Sequence, residues 1–78
     1  MKKARIQNFG LSPIEVRRFV RRNVGRLVVV VLCSGEVLVG RIIFAGIFSF
    51  RLRIRRRGIS IIRRIRYDDV RAIKRVFC

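Results

Sequence analysis

Seventy-eight residues suffice for one domain and no more, and so short a chain hides only about 60% of its unfolded surface. Twenty Lys and Arg against four Asp and Glu leave a net charge of +16, while 51% of residues are hydrophobic. Two distant cysteines and no histidine exclude both a four-ligand zinc site within one chain and a disulfide framework.

These balances also have positive implications. An apolar share too large for one small core suggests burial between subunits. A field of one sign attracts polyanions, and Arg outnumbers Lys 17 to 3. Arg forks onto phosphate and stacks on bases, so the bias favours nucleic acid. No apolar stretch approaches the ~20 residues that span a bilayer, and no signal-peptide core follows Met1-Lys2-Lys3. The expectation is a cytoplasmic protein with no membrane partner and no cofactor or metal.

Residues 1–11 mix charge, Gln, Asn and Gly10 without periodicity and read as an N-terminal arm. Ser12-Pro13-Ile14-Glu15 then opens a helix: Ser12 caps, Pro13 suits the first turn, and Glu15 can close a capping box. Ile14, Val16, Phe19 and Val20 form its apolar side, Arg17, Arg18, Arg21 and Arg22 its basic side, and Asn23 and Gly25 its stop.

From Arg26 the pattern turns to β. Residues 27–32 are apolar on both faces and predict a strand covered twice, by the interior and by the helix. Ser34-Gly35 makes a turn, and residues 37–44 form a second strand with Gly40 as a bend. Phe48, Phe50, Leu52 and Ile54 alternate with Ser49, Arg51, Arg53 and Arg55 in a half-buried third strand. Arg56-Arg57-Gly58 reads as a loop, residues 59–67 as a fourth strand, Asp68-Asp69 as a turn and residues 70–77 as a fifth strand. The fold class is mostly β: a short N-terminal helix followed by a five-stranded, strongly bent antiparallel SH3-like barrel over residues 12–78.

Within this pattern, Leu32-x-x-Gly35-x-x-x-x-Gly40 has the spacing of the first Sm motif, and Ile65-Arg66-x-x-x-Val70-x-x-Ile73 resembles the second. With the Ser-Pro-led helix, residues 12–77 resemble the Sm-like family, which includes LSm and bacterial Hfq proteins. The resemblance implies an Sm-fold barrel and a homo-oligomeric ring of six or seven subunits, joined by the fourth strand of one and the fifth of the next. Ile59, Ile61, Ile62 and Ile65, facing Val70, Ile73 and Val76, are compatible edge material. It also implies that Phe48 stacks on an RNA base while Arg66 covers the other side. The family's pocket Asp and Asn are replaced by Gly46 and Phe50, and Tyr67 replaces a motif Gly. The barrel is therefore implied, and a uridine preference is not.

Read from the residues alone, Phe48 suits either a base-stacking role or an ordinary core position in register with Phe50. Arg66 suits either a base contact or a solvated strand charge. Arg51, Arg53, Arg55, Arg56 and Arg57, followed by Arg63, Arg64 and Arg66, predict a continuous basic surface on a hairpin. Arg17, Arg18, Arg21 and Arg22 predict a secondary basic patch. With four carboxylates, no histidine and no Gly-rich phosphate loop, an enzyme is not expected. The expected function is single-stranded RNA binding, as an RNA chaperone or ribonucleoprotein scaffold, with DNA left open as a ligand. The alternative is a ribosomal-type or DNA-coating structural protein held by charge.

Overall fold

The computed structural model describes residues 12–76; the arm over residues 1–11 and the expected end of the last strand at Phe77 lie outside them. Among these residues one helix, α1 (Pro13–Arg22), precedes five strands: β1 (Leu27–Leu32), β2 (Val37–Ala45), β3 (Ser49–Arg56), β4 (Ile59–Arg66) and β5 (Val70–Arg75). A single 3-10 turn, Tyr67–Asp69, joins β4 to β5. Every pairing is antiparallel, in the order β4-β3-β2-β1-β5. The mostly β class with a leading helix is therefore as expected. The sheet is bent but open, because β4 and β5 are its two edges and do not pair with each other.

The helix starts as its sequence dictates. The Glu15 N–H donates to Ser12 Oγ at 3.2 Å and the Ser12 N–H donates to Glu15 Oε1 at 2.9 Å, a complete capping box. Those hydrogen bonds hold the Glu15 carboxyl below the usual carboxylate range. At the other end the Asn23 side chain donates to the Phe19 carbonyl at 2.8 Å. Val16 and Val20 are fully buried, while Ile14 stays exposed and does not join the apolar side expected of it.

The inner face of the sheet carries the core. Val28, Val30, Leu38, Ile42, Phe50 and Leu52 are almost wholly buried there, and Val16 and Val20 of α1 enter the same cluster. This corrects the expectation that β1 is covered on both faces. Helix and sheet interior share one core, and Leu27, Val29 and Val31 on the outer face are left half-buried. The reason is geometric: the narrow Val16/Val20 stripe fits the mouth of the bent sheet, where α1 packs on β2, β5 and the 3-10 turn.

Gly40 permits the bend. A Cβ there would lie 2.5 Å from the Arg53 carbonyl oxygen and 2.9 Å from Leu52, so any side chain would force β2 and β3 apart. Further along, the register slips between Ile42 and Phe44, a bulge that puts Phe44 opposite Arg51. The β3–β4 connection is a two-residue turn of Arg57 (φ 53) and Gly58 (φ 80), closed by the pair Arg56 and Ile59. Positive φ at both central residues matches the twist of a tight hairpin. Among the described residues no helix is long and apolar enough to cross a membrane.

Candidate nucleic-acid interface

The two-residue turn decides which β4 side chains share a face with the β3 arginines. It sets Arg51 opposite Arg64, Arg53 opposite Ile62, Arg55 opposite Ser60 and Ser49 opposite Arg66. Arg51, Arg53, Arg55, Arg64 and Arg66 therefore lie on the outer face, all exposed, with Arg56 and Arg57 at the hairpin tip. Arg63 is the exception, and the continuous basic surface expected to include it is corrected here. It stands opposite Leu52 on the inner face. There it reaches across the bend to Glu36, with both nitrogens 3.1 Å from the two carboxylate oxygens. The fork holds the Glu36 carboxyl below its usual range and raises the Arg63 guanidinium. Glu36 thereby ties the β1–β2 turn to the β4 edge.

Beyond the bulge, residues 44–48 form an apolar tip. Phe48 is 79% exposed, Ile47 68% and Phe44 52%, so the core position considered for Phe48 is excluded. Its carbonyl accepts the Tyr67 N–H at 3.1 Å, which fixes the loop to the end of β4. Two clefts flank Phe48. One, about 230 Å³, is lined by Pro13, Arg17, Ile47, Phe48, Arg66, Tyr67 and Asp68. The other, about 580 Å³, is lined by Phe44, Gly46, Ile47, Phe48, Ser49, Arg64 and Arg66. Arg66 borders both, and its guanidinium is held by Asp68 at 3.4 Å. The Arg51 guanidinium lies over the Phe44 ring, 5.3 Å from its centroid. Such a site offers aromatic faces beside fixed cations, which is what stacking on unpaired bases uses.

Gly46, Phe50 and Tyr67 form one physical unit beneath this tip. The Phe50 and Tyr67 rings stack at 5.7 Å with 17° between their planes. The Tyr67 hydroxyl donates to the Gly46 carbonyl at 2.6 Å, and the Gly46 N–H donates to the Ser49 carbonyl at 2.8 Å. Burial pushes the Tyr67 phenol up, while Arg17 and Arg21 pull it the other way. The cluster fills the space beneath the loop with rings and satisfied polar groups, leaving no side-chain carboxylate or amide from these positions to read a base edge.

The helix patch divides. Arg17 joins the Phe48 cleft, whereas Arg18 and Arg22 line a separate cleft of about 640 Å³ with Phe19, Ile73 and Lys74, on the β5 side. Arg21 remains exposed. Along the edges, Ile59, Ile61 and Ile62 of β4 are exposed, but Ile65 and Val70 are buried core residues, not edge material as expected. Sequence reasoning missed Phe44, Ile47 and Arg41. Alternation of Leu38, Gly40 and Ile42 with Val39 and Arg41 could have placed Arg41 on the outer face; no sequence signal marks the bulge that exposes Phe44. Compared with known proteins, the chain matches no family model, no curated protein and no solved structure.

Proposed function

We propose that the chain is a cytoplasmic, Sm-like RNA-binding protein that assembles into a homo-oligomeric ring and acts as an RNA chaperone or ribonucleoprotein scaffold. Bases of a single strand stack on the 44–48 tip, and arginines hold the phosphates. The observation that carries this reading is Phe48. An aromatic ring 79% exposed, anchored through its own carbonyl and bordered by Arg17, Arg64 and Arg66, suits a flat, cation-flanked ligand. Assembly is supported by the open edges. Among the described residues β4 and β5 are the two ends of the strand order, and exposed isoleucines run along β4; such an edge is a template for another strand. A ring would convert one modest site per chain into an avid set.

Two measurements test the reading together. The mass of the nuclease-treated assembly should correspond to six or seven chains. Phe48→Ala should weaken single-stranded RNA binding at fixed salt while leaving that mass unchanged. A monomeric wild type would remove the ring, and an unchanged affinity would remove the stacking role. A charge-held structural protein on DNA is the competing reading. It is favoured by the Gly46–Phe50–Tyr67 cluster, which has no group left for base-edge recognition. A monomer binding duplex DNA as tightly as single-stranded RNA would decide for it.

A further inference from the structure

The outer face of the sheet contains a conflict that the fold itself does not resolve. Arg41 of β2 stands directly opposite Arg53 of β3, and Arg51 of β3 directly opposite Arg64 of β4. Like charges at facing positions destabilise a sheet. Among the described residues, none of these four, nor Arg55, makes an ion pair with a carboxylate; the two bridges formed belong to Arg63 and Arg66. Arg41 is instead fixed by donating to the Gly25 carbonyl at 2.6 Å. It borders a cleft of about 430 Å³ with Leu27, Val39, Gly40, Arg53 and Arg55. The cations are arranged in a line: Arg51, Arg53 and Arg55 recur at every second residue of β3, about 6.8 Å apart. One end of the line is the Phe44–Phe48 tip, and the other is Arg56-Arg57 at the hairpin turn.

We propose that single-stranded nucleic acid lies lengthwise along the outer face of β3, one end stacked at the 44–48 tip and successive phosphates held by Arg51, Arg53 and Arg55, with Arg64 and Arg41 on either side. The inference rests on the reading above that the ligand is nucleic acid, and it adds a path and a direction to that reading. Beyond Arg64, Ile62 and Ser60 stand opposite Arg53 and Arg55 and leave that stretch of the β4 side uncharged, so the strand is guided there toward Arg41 and the cleft over β2. The opposed arginines lose their mutual repulsion when a phosphate lies between them, which couples ligand binding to stability of the sheet.

The test uses the full chain, nuclease-treated, titrated with homopolymeric single-stranded RNA of three and of seven nucleotides. Three nucleotides can occupy the tip alone, whereas seven can follow β3. Wild type should bind the longer oligomer at least tenfold more tightly. Arg53→Gln with Arg55→Gln should bind the trinucleotide as wild type does, lose most of the gain with length, and show a log–log salt slope shallower by about 1.4 for the seven-mer, two phosphate contacts at ~0.7 each. Phe48→Ala should weaken both oligomers. If the double variant retains the length gain and the salt slope while Phe48→Ala still weakens binding, the path along β3 is wrong and the stacking site survives. If wild type binds neither oligomer, the nucleic-acid reading falls and takes the path with it. Binding of polyglutamate as tight as that of the seven-mer would make the face a protein-docking surface and overturn the proposal.

Discussion

Apart from Arg66, which Asp68 holds at the end of β4, the two faces of one sheet treat arginine in opposite ways. On the inner face, the single arginine of β4, Arg63, receives a carboxylate from Glu36 and closes a forked bridge at 3.1 Å. On the outer face, Arg41, Arg51, Arg53, Arg55 and Arg64 have no carboxylate among the described residues, and four of them are set against each other in facing pairs. Charge that serves the fold is neutralised within it. Charge left in opposition, and lined up beside an exposed aromatic tip, is an arrangement whose counter-charge comes from outside the chain.

Substitutions at neighbouring positions of β3 should therefore act in opposite senses. The largest effect belongs to the inner face. Phe50 is fully buried and stacked on Tyr67, so Phe50→Ala should cost about 3–5 kcal/mol of stability, read by denaturant unfolding. A loss below 1 kcal/mol would mean that the rings beneath the 44–48 tip do not support the sheet. Next comes the tip itself. Phe48→Ala should cost ~1–3 kcal/mol of binding to single-stranded RNA, with no fall in thermal midpoint, because a ring 79% exposed contributes little to the core.

The third effect has the reverse sign. Arg53→Thr removes one member of a facing cationic pair and introduces a residue that suits strands. The ligand-free protein should gain roughly 0.2–1 kcal/mol of stability at low salt, and the gain should shrink as salt screens the repulsion. Loss of stability on this substitution would show that Arg53 has a structural partner.

The smallest effect is a pH dependence of the Glu36–Arg63 bridge. Arg63 holds the Glu36 carboxyl below its unfolded-state value. A depressed carboxyl contributes stability above its unfolded pKa and loses it as pH falls through the folded one. Glu36→Gln should accordingly melt slightly below wild type at neutral pH, and the difference should close on acidification below the usual carboxylate range. A difference constant down to acid would assign it to something other than this pair. Both groups are exposed, so the effect is small.

Much of the fold was legible because it is locally encoded. Ser12, Pro13 and Glu15 specify the start of α1 through contacts three residues apart. The alternation from Phe50 to Arg55 fixes which face of β3 is buried, and Gly40 marks the bend. What was not legible depends on register and on distant contacts. Reading Arg56-Arg57-Gly58 as a three-residue loop would set Arg63 opposite Arg51. The observed two-residue turn shifts the pairing by one, and because strand side chains alternate, every β4 residue changes face. Arg63 then leaves the basic surface and finds Glu36, 27 residues earlier in the chain. The second facing pair, Arg41 with Arg53, arises between β2 and β3, outside the β3–β4 hairpin on which the basic surface was expected. Likewise, the contact of Gly46, Phe50 and Tyr67 is made by residues up to 21 positions apart, and the bulge that turns Phe44 outward has no signature in the apolar run around it.

The most direct measurement is the thermal midpoint of nuclease-treated wild type and of Arg53→Gln with Arg64→Gln, which breaks both facing pairs, each with and without a single-stranded RNA seven-mer at low salt. Without RNA the double variant should melt above wild type; with RNA the order should reverse, because only wild type gains the phosphate contacts. A wild type that is the more stable protein without ligand, or that gains no more from RNA than the variant does, would contradict the claim that the outer arginines are held in opposition for a polyanion.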